Sequence, residues 1–217
     1  MFINFFKNFK YVSFFFICDI VNKLEIEIRA FIKNVEDFKK RLVDIGAVFK
    51  SKVHIVDCWF CEKDKKSFDE VLQCNPGDYS LRIRKITKDS RDVYEFNCKV
   101  LEKLDDHNAF HEFETRVNDF DQLKNILEHI GFKVFSVLDK ERTVFEFEKC
   151  LINVEDIKDF RPAVELEIID DKNAEEHKAY LRKLLDRLGV AEEERIEKSI
   201  TYHYMEEFAF KNENKKL

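Results

Sequence analysis

Glycine and proline are scarce in this 217-residue chain, which has four residues of the first and two of the second. Together with 45% hydrophobic residues, this composition argues against several linked domains and predicts one compact domain with a sizeable core. Long apolar runs are also lacking. The run from Tyr11 to Cys18 is far shorter than the ~20 residues that cross a bilayer, and Asp19 ends it. We therefore expect no membrane-spanning segment.

An excess of positive charge is missing as well. The net charge is −6 and the isoelectric point is about 5.6. These values exclude a general nucleic-acid binder, so any phosphate-binding site must be local. The six cysteines are scattered, and Cys58-x-x-Cys61 has no second pair that would complete a zinc site. We expect reduced thiols and a cytoplasmic protein, and the dispersed histidines indicate no histidine-based site.

Composition divides the chain into three parts. Residues 1–23 are rich in phenylalanine and differ from everything that follows. We interpret them as an N-terminal extension that is either disordered or used in targeting. Residues 24–210 form the predicted domain, and residues 211–217 form a polar tail.

The stretch from Leu24 to Ala30, LEIEIRA, predicts the strand around which the domain is built. With a period of two, its leucine and isoleucines share one face, and Glu25, Glu27 and Arg29 share the other. The two carboxylates would be about 6 to 7 Å apart, which is close enough to bind one hard cation. A charged strand on the protein surface would show the same pattern.

Pairs of like charge recur along the chain. The acid pair returns at Glu112 and Glu114 and at Glu165 and Glu167, and base pairs occur at Arg82 and Arg84 and at Lys140 and Arg142. A solvent-facing sheet intersperses the two signs, because like charges on one face repel each other. The pairs indicate instead polar faces around a shared interior that holds a ligand both anionic and metal-bound. A triphosphate with Mg²⁺ or Mn²⁺ fits that description.

Amphipathic helices follow the glutamate-rich strands. In the first, apolar residues from Val35 to Ile45 share a face, Asn34 is the expected N-cap and Gly46 ends the helix. The order of strand, helix, hydrophobe and glycine returns twice, ending at Gly131 and at Gly189, which indicates an internal duplication. A fourth helix is predicted through Ile196, Ile200, Tyr204 and Phe208.

These patterns predict about eight strands and four helices. Strands with charge on one face and hydrophobes on the other can hide the charge by closing into a barrel. We therefore expect an α+β fold in which a closed antiparallel β-barrel has a charged lumen and helices packed outside. A lumen of like charges is costly when it is empty, which favours a functional cavity.

The order of the charged motifs resembles one known family. The opening ExExK-like strand, the RxR, the later Lys99, the second ExE, the KxR and the closing VELE are similar to motifs of the CYTH superfamily of triphosphate tunnel metalloenzymes. That group contains class IV adenylyl cyclases, thiamine triphosphatases and inorganic triphosphatases. The resemblance covers about Leu24 to Phe208. The stretch from HEFETRVNDF to VEDIKDFRPAVELE is most similar to the class IV adenylyl cyclase branch.

The resemblance implies a role for each charged group. The catalytic residues would be Glu25, Glu27 and Arg29. The ligands of Mg²⁺ or Mn²⁺ would be Glu25, Glu27, Glu165 and Glu167, with Glu155 and Glu114 as further candidates. The residues that grip the triphosphate would be Arg82, Arg84, Lys99, Lys140 and Arg142. Glu112 would be either a further ligand or a counter-charge to the bases.

Two positions depart from the family pattern. Arg29 stands where the family has lysine, and arginine binds phosphate but does not exchange a proton. Glu155 stands where the family usually has aspartate and is one methylene longer.

The resemblance implies a metal-dependent enzyme whose partner is a small-molecule triphosphate: ATP, tripolyphosphate or thiamine triphosphate. A cyclase would form cyclic AMP and pyrophosphate, whereas a triphosphatase would release phosphate. Two alternatives are a module that binds polyphosphate or a nucleotide without turnover, and a structural domain with solvated strand faces. No nucleic-acid partner is expected, and a homodimer is one of the open assembly states.

Overall fold

The computed structural model describes residues 25–103, 109–169 and 173–211. The predicted extension at residues 1–23 lies outside the described residues, and so do Leu24 and most of the predicted tail, residues 212–217. The described residues form one antiparallel sheet, four α-helices and two short 3-10 helices, which is an α+β fold.

Nine strands form the sheet, in the order β5-β4-β3-β2-β6-β7-β8-β1-β9. Their bounds are β1 Glu25–Phe31, β2 Val48–Glu62, β3 Tyr79–Lys88, β4 Arg91–Lys103, β5 Ala109–Val117, β6 Phe132–Phe147, β7 Cys150–Ile157, β8 Ala163–Ile169 and β9 Arg195–Ile196. The central pair, β2 and β6, is also the longest, and it joins the two halves of the sheet.

The predicted closed barrel is wrong. Within the described ranges no ladder joins β5 to β1 or β9, so the sheet is open, with β5 and β9 at its edges. One side of β1 pairs with β8, and the other side pairs with β9 through Arg29 and Ala30. The hydrogen-bonding groups that β5 would need for closure are therefore partly used by β9.

The described residues contain four α-helices, as the sequence predicts. They are α1 Val35–Asp44, α2 Phe120–His129, α3 Ala174–Arg187 and α4 Ile200–Phe208. The predicted N-cap is confirmed, because the Asn34 side chain accepts a 2.9 Å hydrogen bond from the Asp37 backbone N–H. Gly46 and Gly131 follow α1 and α2 with φ angles of +93° and +106°, a backbone conformation that favours glycine.

The fourth predicted helix begins later than expected. Ile196 lies in β9 rather than in a helix, and α4 starts at Ile200. The Ser199 hydroxyl accepts a 3.0 Å hydrogen bond from the Tyr202 backbone N–H. This cap fixes the start of α4 and leaves Arg195 and Ile196 extended against β1.

Three helices cover the apolar face of the sheet. α1 and α3 pack on β1, β7 and β8, where Phe38, Leu42 and Leu181 contact the strand residues Ile152 and Leu166. α2 covers the other half of this face, where Leu127 packs against the residues around Cys58 and Ile83 on β2 and β3. Cys58 therefore lies in an apolar environment within β2.

The last helix lies on the opposite, charged face. Ile200 and Tyr204 of α4 pack against Phe31, Leu138 and Ile157. Each of these three strand residues is two positions from a charged residue of its own strand and therefore lies on the same face as that residue. One end of the charged face is thus apolar and is covered by α4, although all helices were expected outside. No helix in the described part of the chain is both long and apolar enough to cross a membrane.

Two neighbouring residues of α1 test the assignment of its buried side. Leu42 is fully buried and Val43 is 61% exposed. We expect Leu42→Ala to lower the free energy of unfolding by about 2 to 5 kcal/mol, because it leaves a cavity in the core. Val43→Ala should change it by about 0.5 kcal/mol or less. Urea titrations followed by circular dichroism measure both, and equal losses would contradict this packing.

Candidate functional site

The register of the sheet places acids opposite bases. Directly opposed residues of antiparallel strands point to the same face. Across the sheet, Arg29 is opposite Glu165, Asp57 is opposite Arg84, Arg142 is opposite Glu155 and Lys99 is opposite Glu112. Like charges follow one another along a strand, but opposite charges meet across strands. The expected repulsion of the bare pairs is therefore largely compensated within the sheet.

The first base pair is held by a buried aspartate. Asp57 is only 1% exposed, and its two carboxylate oxygens accept hydrogen bonds from Arg84 Nε and Nη2 at 2.6 and 2.8 Å. The nearest guanidinium nitrogen of Arg82 is 3.8 Å away. Burial alone would raise the pKa of Asp57, but the two arginines outweigh it and hold that pKa well below its usual range.

Arg82 is bound more loosely than its neighbour. Its Nε and Nη2 donate to the amide oxygen of Asn97 at 3.3 and 3.1 Å, and its guanidinium lies 5.1 Å from the centre of the Trp59 ring. Burial lowers the pKa of Arg82, with Asp57 acting against this effect. An arginine nevertheless stays protonated. The direct hydrogen-bond acceptor of Arg82 is a neutral amide, so the positive charge of Arg82 is less compensated than that of Arg84.

The second base pair is held in the same way. Glu155 is fully buried, with Oε1 2.6 Å from Arg142 Nε and Oε2 3.0 Å from Lys140 Nζ. Burial lowers the pKa of Lys140, although Glu155 acts in the opposite direction. Burial would also lower the pKa of Arg142, but Glu155 and Glu165 outweigh it, and that pKa is raised. One carboxylate therefore serves two cations here too.

Arg29 joins the acid pairs of β1 and β8. Its Nε donates to Glu165 Oε1 at 2.8 Å, and it also forms an ion pair with Glu27. Arg142 lies 3.9 Å from the second oxygen of Glu165. Burial would raise the pKa of Glu165, but Arg142 and Arg29 outweigh it and lower that pKa. Arg29 thus links the acids to the second base pair.

The remaining predicted residues lie at the β4–β5 side of the face. Lys99 Nζ is 3.2 Å from Glu112, and both side chains are about 40% exposed. Glu114 accepts a hydrogen bond of 2.5 Å from the amide of Asn97. Burial, followed by the charge of Glu114, raises the pKa of Glu95 above its ordinary value. These groups are more open to solvent than the two central base pairs.

Two residues of the face were missed in the sequence. Asp57 binds the first base pair, and Asn97 joins Arg82 to Glu114. Asp57 did carry a signal, because it is the single acid inside the otherwise apolar run IVDCWF, on the same alternating face as Trp59. Asn97 lies on the same face of β4 as Glu95 and Lys99 and differs from these two residues in being neutral.

A hard cation suits the acids where β1 meets β8. Glu27 and Glu167 are directly opposed, and the Asn153 amide donates to Glu167 at 3.3 Å. Glu25 begins β1, with its backbone opposite Ile169. The described residues contain no cluster of three or more histidines, cysteines or acids arranged to hold a metal ion. Mg²⁺, however, is usually bound by one or two carboxylates together with substrate phosphates, so the opposed pair fits.

Known proteins of the same shape share this architecture. A protein from Pyrococcus horikoshii OT3 has 25% identity and a TM-score of 0.62, over 81% of this chain and 96% of its own. An adenylate cyclase candidate from Vibrio parahaemolyticus has 18% identity and a TM-score of 0.60, over 82% and 96%. An adenylyl cyclase candidate from Hippeastrum, described as having a dominant triphosphatase activity, has 14% identity and a TM-score of 0.58, over 84% and 95%.

A search among curated proteins found no match. The profile of the CYTH domain matches residues 23–200, which include all nine strands and the first three helices. The same range contains every charged residue of the face described above. The chain therefore belongs to the CYTH domain family.

Proposed function

We propose that the protein is a metal-dependent enzyme that acts on a triphosphate bound to the charged face of its sheet. The observation that carries this proposal is the joint placement of Arg82, Arg84, Lys140 and Arg142 on one face, with the opposed acids Glu27 and Glu167 on strands of the same face. Family membership and the cyclase-like and triphosphatase-active proteins of similar fold support it. Tripolyphosphate, ATP and thiamine triphosphate are the candidate substrates.

The bases would bind the phosphoryl oxygens. Guanidinium forks match pairs of phosphate oxygens, and lysine adds a compact charge. Arg82 is the best placed to exchange its present acceptor for a phosphate, because it gives up only a neutral amide oxygen. Lys99, which is partly exposed, would bind an oxygen farther out on the same ligand.

The acids of β1 and β8 would hold the cation. Glu27 and Glu167 offer opposed carboxylates, and Glu25 and Glu165 flank them on the same two strands. Bound Mg²⁺ or Mn²⁺ would supply charge neutralisation at the phosphate and would activate a nucleophile. Arg29 pairs with both Glu27 and Glu165, so its role is to keep those carboxylates in place and to contact phosphate. An arginine does not exchange a proton in a protein, so Arg29 would take no part in proton transfer.

The protein itself would contribute positioning and electrostatic stabilisation to the reaction. A preorganised set of cations stabilises the charge that develops on a transferring phosphoryl group, and little covalent work is left for the protein. With water as the nucleophile the reaction is hydrolysis, and with a ribose hydroxyl it is cyclisation. Both reactions would use the same residues to bind the phosphate oxygens.

The first test identifies the reaction. The purified protein with Mn²⁺ or Mg²⁺ is incubated separately with ATP, tripolyphosphate and thiamine triphosphate, and the products are separated by chromatography. We expect turnover of at least one substrate and its loss in EDTA. Cyclic AMP with pyrophosphate identifies a cyclase, and free phosphate identifies a triphosphatase. Tight binding without product would favour a binding module, and turnover that survives EDTA would contradict the metal requirement.

A second test separates phosphate binding from fold stability on one strand. Arg82→Gln should reduce turnover by about 10² to 10³, because it removes one preorganised donor. Its stability should change little, since Arg82 bonds mainly to a neutral amide. Arg84→Gln should reduce turnover and also lower the free energy of unfolding by about 3 to 5 kcal/mol, because it leaves buried Asp57 without its hydrogen-bonded partner.

Lys85→Gln is the matched control for these two variants. Lys85 directly follows Arg84 in β3 but lies on the opposite face, where it pairs with Asp92 and is 37% exposed. Its turnover should match that of the parent, and its free energy of unfolding should match within about 0.5 kcal/mol. Specific activity and urea titration are measured for all three. Parental turnover in Arg82→Gln would show that the charged face is not the site.

A further inference from the structure

Two carboxylates of the charged face are buried far more deeply than the rest. Asp57 and Glu155 are 1% and 0% exposed, whereas Glu112 of the same face is 41% exposed. Asp57 accepts two hydrogen bonds from Arg84 and has Arg82 3.8 Å away, and Glu155 accepts a hydrogen bond from Arg142 and has Lys140 Nζ 3.0 Å away. A buried carboxylate is tolerated only where cations compensate its charge. Both acids are therefore committed to the bases.

The two acids occupy equivalent positions. Asp57 lies on β2 beside β3, directly opposite Arg84, and the second base, Arg82, is two residues along β3. Glu155 lies on β7 beside β6, directly opposite Arg142, and the second base, Lys140, is two residues along β6. The pattern of one acid on a neighbouring strand, one opposed arginine and one diagonal base is the same in both places.

This arrangement fixes the direction of the cations. Two bases two residues apart on one strand are about 6 to 7 Å apart and repel each other in a buried site. An acid beside them reduces the local charge and restrains the arginine to which it is hydrogen-bonded. Arg84 donates hydrogen bonds to Asp57 from Nε and Nη2. A guanidinium has five N–H groups, so Asp57 sets the orientation of Arg84 without using all the donors of that side chain.

We propose that Asp57 and Glu155 are matched positioning residues, which hold the two base pairs in the geometry that binds the triphosphate, and that Glu155 is therefore not a metal ligand. This inference rests on the proposed function. It reverses the role that the family resemblance gave to Glu155. Its Oε1 accepts a 2.6 Å hydrogen bond from Arg142 Nε, and its Oε2 lies 3.0 Å from Lys140 Nζ in an ion pair without hydrogen-bonding geometry. A divalent cation there would displace these bases and be repelled by them.

The experiment compares Asp57→Asn and Glu155→Gln with the parent and with two reference variants. Glu167→Gln removes a proposed metal ligand. Glu141→Gln is the control, because Glu141 lies on β6 next to Lys140 but on the opposite face, paired with Lys52. Mn²⁺ binding is measured by calorimetry, and kcat is measured on the triphosphate that the parent turns over. The Arg84 and Arg142 Nε–H signals are followed by ¹⁵N NMR as a readout that needs no activity.

For the two positioning variants we expect a fall in kcat of at least 30-fold with Mn²⁺ affinity unchanged within threefold. Glu167→Gln should weaken Mn²⁺ binding at least tenfold, and Glu141→Gln should match the parent in both. The Arg84 Nε–H should exchange with solvent more rapidly in Asp57→Asn, and the Arg142 Nε–H in Glu155→Gln. Glu155→Asp, which restores the charge, should recover at least tenfold of the lost kcat.

Three outcomes would overturn the proposal. A tenfold or larger loss of Mn²⁺ affinity in Glu155→Gln would make Glu155 a metal ligand, and a kcat within threefold of the parent would make both acids merely structural. If the neutral variants do not fold, Glu155→Asp keeps the charge, and a tenfold or larger loss of Mn²⁺ affinity in that variant would also overturn the proposal. A parent that binds neither Mn²⁺ nor triphosphate but has slowly exchanging arginine signals would refute only the proposed function.

Discussion

The ion pairs between buried acids and bases on one face of the sheet are the constraint on which the rest of this structure depends. Isolated charges cannot be buried at a tolerable free energy, so Arg84 requires Asp57, and Lys140 and Arg142 require Glu155. Each pair demands a fixed register between neighbouring strands, because a slip of one residue would turn the acid to the apolar face. The ion pairs of the charged face therefore also fix the alignment of β2, β3, β6 and β7.

The open sheet changes how this face can be reached. β9 occupies part of the free side of β1, and α4 covers the apolar end of the face around Phe31 and Leu138. The opposite edge, β5, is mostly exposed and presents Glu112 and Glu114. A polar ligand therefore has easier access from the β5 side than from the end beneath α4. Lys99 lies on this side and is about 40% exposed, so the proposed triphosphate would meet it before the buried arginines.

The repeated unit of strand, helix and glycine explains why the acids lie far apart in the sheet order. β1, β5 and β8 each carry an acid pair, and each is followed by a helix that ends before a glycine with positive φ. The first two units begin with β1 and β5, which lie near opposite edges of the sheet. The third unit begins with β8, which pairs with β1. Only the β1 and β8 acids are directly opposed. For that reason a shared cation fits Glu27 and Glu167 better than Glu114.

The sequence by itself determined which face the charged pairs occupy and where α1 begins and ends. Strict alternation separated Arg82 and Arg84 from Ile83, and the side-chain oxygen of Asn34 marked the start of α1, because these signals act within a few residues. Only the tertiary structure decided which strands are neighbours. It left the sheet open, put Ile196 in a strand, and brought Asp57 to Arg84 and Glu155 to Lys140. Strand pairing depends on contacts between residues distant in the chain, and a period of two is the same whichever strand lies alongside.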